Sequence, residues 1–121
     1  MNEELAKRAV ACKHWAWMQG MLTTSEMRVV SVGHASLIVL DDEFDLVEIT
    51  DGKAIPNLDD PATLGCLLAL VREAWGDTLA VCIPRSHTNW EVRLVPLHGW
   101  THCAWGNSEI EALVAALEAA P

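Results

Sequence analysis

The stretch from Asp60 to Gly76 most constrains the fold, because both ends of a helix are written into it. Asp60 can cap the free amides of a first turn, Pro61 suits the first helical position, and Gly76 ends the run after Trp75. Between these ends, Leu64, Leu67, Leu68, Val71 and Trp75 share one stripe, which must be buried against another layer. The flanking segments supply that layer as β-rich runs. Residues 28–32 and 37–40 flank the hairpin turn Gly33-His34-Ala35-Ser36, and residues 46–50 add a third strand before the Asp51-Gly52 turn. Beyond the helix, residues 78–83 and 90–95 are joined by a polar turn over 84–89, and residues 100–104 add a further strand. Trp90, Val92 and Leu94 alternate with Glu91 and Arg93, which predicts one buried face and one wet face.

Helices close both ends. Asn2, Glu3 and Glu4 ahead of Lys7, Arg8 and Lys13 match a helix dipole, and the pattern predicts an end between residues 13 and 17. Ser108 and Glu111 have capping-box spacing, and Ile110, Leu113, Val114 and Leu117 form the stripe behind them. The order is α-β-β-(β)-α-β-β-(β)-α, an α+β class with three helices packed on an antiparallel β-sheet. A length of 121 residues predicts one domain over 1–121.

The net charge of −9 is concentrated. Residues 41–60 hold Asp41, Asp42, Glu43, Asp45, Glu48, Asp51, Asp59 and Asp60 against Lys53 alone, so the remaining chain is nearly neutral. A chain with 17 acids and 8 bases lacks the basic face that direct nucleic-acid binding or anionic membranes require. Asp41, Glu43 and Asp45 alternate as calcium ligands do. However, Leu46 stands where such a loop needs Gly, and Gly52 where it needs the bidentate Glu. The acidic run after Leu40 imitates a nucleotide-hydrolase strand, yet no GxxxxGK[ST] loop accompanies it. These acids read instead as a solvated loop or as a docking surface for a basic protein partner, with Asp41, Asp42, Glu43 and Asp45 as binding residues.

The stretch Cys12 to Met21 is the least ordinary. Trp15, Trp17, Met18 and Met21 make a large adaptable apolar surface, either a lid over the core or a binding patch for a partner or a homodimer. Cys12, His14, His98 and His102 are the candidate zinc ligands or thiol-enzyme groups, although their spacing matches no finger motif and no metal or cofactor is expected. GxSxG, HExxH and phosphate-loop patterns are missing from the sequence, so no catalytic residue is assigned. Four dispersed cysteines fit a reducing compartment, and the acidic start MNEELAKR does not read as a secretory signal. No run of residues is long and apolar enough to predict a membrane span.

The stretches Ala11-Cys12-Lys13-His14-Trp15, Leu58-Asp59-Asp60-Pro61-Ala62-Thr63-Leu64-Gly65 and EIEALVAALEAAP at 109–121 resemble small bacteriophage- and prophage-encoded proteins. Some of these are described as a phage sandwich domain of helix, sheet and helix layers. The resemblance implies a cytoplasmic protein of a bacterial host with no assigned catalytic residues. In the C-terminal third, Trp90-Glu91-Val92, Pro96, Gly99 and Gly106-Asn107-Ser108 with Glu111-Ala112-Leu113 are similar to HicB-type antitoxins, which mask a small basic toxin. The N-terminal half has no counterpart in that family, and Trp90 stands where the family's strand is rich in tyrosine. Together these features predict a non-enzymatic protein-binding module.

Overall fold

The computed structural model describes residues 3–95 and 101–121. Its elements are α1 (Glu3–Ala11), β1 (Arg28–Val32), β2 (Leu37–Leu40), β3 (Leu46–Ile49), α2 (Pro61–Trp75), β4 (Val81–Ser86), β5 (Asn89–Leu94), β6 (Thr101–Gly106) and α3 (Glu109–Ala119). This is the α+β order read from the sequence, with both optional strands present. The strands divide between two three-stranded antiparallel sheets, β1-β2-β3 and β4-β5-β6. The chain forms two compact units, the first holding residues up to Val10 and Ala16–Cys66, the second Ala11–Trp15 and Leu67–Pro121. Among the described residues, no helix is long and apolar enough to cross a membrane.

In the first unit, β2 pairs with both neighbours, and Val29, Leu37 and Val39 lie on its buried face. A polar chain ties the approach to β1 to the start of α2. The Leu22 amide donates to Thr63 Oγ1 at 2.8 Å, and Thr63 Oγ1 donates to Asp60 Oδ2 at 3.0 Å. Asp60 Oδ2 also accepts the Thr63 amide at 3.0 Å, the expected cap, and Arg28 grips both Asp60 oxygens at 2.7 and 3.2 Å. Burial works against the Asp60 charge, but the Arg28 hydrogen bonds and those from Thr63 outweigh it and hold the carboxyl below the usual range.

In the second unit, α3 packs on the β4-β5-β6 sheet. Ser108 caps α3 by accepting the Glu111 amide at 3.2 Å, and Ala112, Leu113, Val114, Ala116 and Leu117 are buried. The close approach requires Gly106, where a Cβ would lie 2.4 Å from the Ala112 amide nitrogen. Gly76 closes α2 with φ +64°, its amide donating to the Glu73 carbonyl and that of Asp77 to the Arg72 carbonyl, a Schellman ending. The Trp75 indole donates to the Ala116 carbonyl at 2.8 Å.

Several boundaries differ from the sequence reading. Helix α1 stops at Ala11, earlier than predicted, where the Cys12 carbonyl turns to accept the Trp15 amide at 3.1 Å. The proposed Asn2 cap lies outside the described residues. Strand β4 begins at Val81, because Asp77 first folds residues 77–80 into a turn by accepting the Leu79 amide at 2.9 Å. It then runs through Pro84, paired with Trp90, to Ser86, which an edge strand permits because an outward position needs no amide donor. In α2 the fully buried positions are Thr63, Leu67, Leu70 and Val71, a stripe rotated from the predicted one.

Candidate functional site

The acidic segment is built on a hairpin turn between β2 and β3. Asp41 Oδ1 accepts the Glu43 and Asp45 amides, each at 2.9 Å, and the Asp41 amide donates to the Asp45 carbonyl at 3.0 Å. Asp41 therefore organises the turn, while Asp42, Glu43 and Asp45 stand exposed. Asp51 has a similar local task, accepting the Lys53 amide at 3.0 Å, and Asp60 is committed to Arg28. Asp41, Asp51 and Asp60 thus shape backbone, while Asp42, Glu43, Asp45 and Glu48 are exposed.

Phe44 sits at the tip of this turn with φ +62° and is 81% exposed. A bulky side chain pays a steric cost there, which Gly avoids, and it gains no burial in return. Leu46 beside it is 66% exposed, and Val47 is exposed as well. Both lie on β3, whose outer edge has no ladder partner among the described residues. An open, apolar strand edge rimmed by carboxylates is therefore displayed in the first unit. The sequence reading found the acids but not the edge, because alternation alone does not say which strand lies outermost.

The tryptophan segment divides. Met21 is fully buried, with its sulfur 3.3 Å from the Met18 amide, whereas Trp17 and Met18 are half-buried in the same unit. Trp15 is half-buried and falls in the second unit. Met21 belongs to the core, so only Trp15, Trp17 and Met18 retain surface for a partner.

Of the candidate metal or thiol residues, His98 lies outside the described residues. His14 Nε2 donates to the Pro121 carbonyl at 2.7 Å, and His102 belongs to a different cluster, described below. Among the described residues, no three His, Cys, Asp or Glu side chains gather as ligands for one metal ion. The four cysteines are free thiols. Burial, then the nearby Glu109 and Cys103, push Cys82 up to about 12. Burial, with Asp77 adding to it against a backbone hydrogen bond, pushes Cys103 up to about 11. Neither supplies a thiolate near neutral pH.

The predicted wet face of β5 requires a correction. Glu91, expected in water, is only 1% exposed. Its Oε1 accepts Arg93 Nη2 at 2.5 Å and lies 3.4 Å from Arg85 Nε, while His102 Nδ1 stands 3.9 Å from Oε2. His102 meets Trp105 edge-on, with ring centroids 5.3 Å apart. Cross-strand register explains the grouping, since Glu91 pairs with Ile83 and Trp105, and Arg93 pairs with His102. The signal was present in the hairpin sequence as an acid between two arginines on facing strands, where opposite charges attract. Packing two guanidinium groups over one carboxylate is what removes Glu91 from water.

Two shallow clefts also open among the described residues. One of about 320 Å³ lies between the Thr23–Met27 turn and residues 49–55, and one of about 420 Å³ lies beside Trp75, Asp77 and Leu94. No family model, curated protein or solved structure matches the chain.

Proposed function

We propose that this protein is a non-enzymatic binding module whose β3 edge takes an extended, basic segment of another protein. The observation that carries this reading is Phe44, displayed at positive φ beside exposed Leu46 and Val47 within an acidic rim. A strand added to β3 satisfies the edge's outward amides and carbonyls, covers these side chains, and places its lysines or arginines against Asp42, Glu43, Asp45 and Glu48. Pairing two β3 edges of the same chain would set these acids against one another, which favours a partner of opposite charge. A phage- or prophage-derived protein of a bacterial cytoplasm, acting on a host or toxin protein, fits this chemistry. An antitoxin that masks a basic toxin is one instance of it. For a homodimer, Trp17 and Met18 are the surface proposed on the first unit and Trp15, separately, on the second, which sedimentation at two concentrations tests.

The test is a titration with a basic peptide that alternates valine and lysine, followed by amide exchange. Binding should protect the Leu46–Ile49 amides, weaken with salt and disappear when Asp42, Glu43 and Asp45 are changed to Lys. Equal binding of an acidic peptide of the same pattern, or unprotected β3 amides, would refute the reading.

A further inference from the structure

We propose that the outer face of the β4-β5-β6 sheet is a nucleotide site, with the phosphate held by Arg85 and His102 and the base laid on Trp105. Strand geometry defines this face. Cys82 Sγ reaches the Glu109 carbonyl of α3, so the cross-strand row Cys82–Val92–Ala104 faces that helix. The adjacent row Ile83–Glu91–Trp105 therefore points away from α3.

Glu91 acts as a positioning residue on this face. A guanidinium offers five N–H donors in a rigid fork, and Arg85 Nε forms an ion pair with Glu91 Oε1 at 3.4 Å without a hydrogen bond. Its terminal nitrogens have no partner among the described residues, and the side chain is 49% exposed. The buried carboxylate thus keeps an exposed guanidinium beside it whose fork is uncommitted among the described residues, the chemistry that suits a phosphate. Two arginines against one glutamate leave the cluster with one net positive charge in a chain of −9 overall. That balance suits a single phosphate and opposes a long polyanion, which needs many basic contacts.

Trp105 supplies the second half. Trp105 is 44% exposed, and an exposed ring accepts a base by stacking. His102 stands between the two halves, edge-on to Trp105 and 3.9 Å from Glu91 Oε2. Glu91 Oε2 is buried and accepts no hydrogen bond among the described residues. The His102 side chain is 61% exposed, so its ring can reach a phosphate oxygen from the side away from Glu91. The chemistry is a phosphate next to an aromatic base, whether in a free nucleotide or at one position of a short single strand.

The full chain is titrated with adenosine 5′-monophosphate, adenosine, inorganic phosphate and a ten-nucleotide oligoadenylate, while the Trp105 indole and His102 ring resonances are followed. The monophosphate should shift both rings and bind at least tenfold more tightly than adenosine or phosphate. Arg85→Ala should weaken it about tenfold. Glu91→Gln should weaken the monophosphate while leaving adenosine stacking on Trp105 unaltered, an asymmetry that general loosening of the fold would not produce. Tighter oligoadenylate binding through the same side chains supports the site and makes the strand its source. Phosphate binding as well as the monophosphate, silent Trp105 and His102 resonances, or undiminished binding to Arg85→Ala would each overturn the proposal.

Discussion

The two sheets have the same strand number and the same antiparallel meander, yet they use charge in opposite ways. Around β1-β2-β3, most of the acid lies in turns, exposed, with an apolar edge beside it. On β4-β5-β6, the charges lie on the strands themselves and pair around Glu91, which water does not reach. The difference shows that charge count predicts little about charge function. Asp42 and Glu43 face water, whereas Glu91 holds two arginines in place.

The sharpest way to break this contrast is to remove one acid from each sheet. Glu91→Ala leaves two partly buried arginines without their carboxylate and should cost about 3 kcal/mol in urea unfolding. Asp42→Ala should stay within about 0.5 kcal/mol, as exposed substitutions do. Equal costs would erase the distinction.

Gly106→Ala tests how tightly the second sheet is held against α3. A Cβ there would meet the Ala112 amide nitrogen at 2.4 Å, so backbone must move, and thermal melting should register a loss of about 2 kcal/mol.

The Arg28–Asp60 pair gives the first unit its pH dependence. Because the folded-state pKa of Asp60 is lowered, its contribution is fully present above the unfolded carboxylate range and is lost as pH falls through the lowered value. Stability measured downward from pH 6 should therefore fall on the acid side, and Asp60→Asn should flatten that fall. At neutral pH, Asp60→Ala should cost about 1.5 kcal/mol through the lost cap and ion pair.

One effect has the opposite sign. Phe44→Gly relieves a positive-φ residue that is buried against nothing and should stabilise the chain by about 1 kcal/mol in the same unfolding assay. Phe44→Asn, which tolerates that backbone, should leave the turn intact and weaken basic-peptide binding. A stabilised variant that still binds fully would show that Phe44 has no part in recognition.

How much of this was legible in the sequence follows from the range of each interaction. Local signals were readable: Asp60, Pro61 and Gly76 mark the ends of α2, Ser108 with Glu111 opens α3, and Gly33 to Ser36 turns a hairpin, all as the structure has them. Alternation placed Glu91 opposite Val92 correctly and then failed, since period-two patterning assigns a face and says nothing of what covers it. Burial of Glu91 depends on Arg85, and the turn signal of Pro84 hides that β4 runs on through it. The acidic cluster was visible as composition. The exposed edge of β3 depends on which strands pair, and strand order is a tertiary property.

One experiment addresses both sheets together. Backbone and side-chain resonances of the full chain are recorded while the valine–lysine peptide and adenosine 5′-monophosphate are added separately. The account predicts that the peptide perturbs Phe44 and Leu46–Ile49 and leaves Trp105 and His102 in place, while the nucleotide does the reverse. Peptide and nucleotide perturbing the same sheet, or the peptide leaving β3 unchanged, would contradict it.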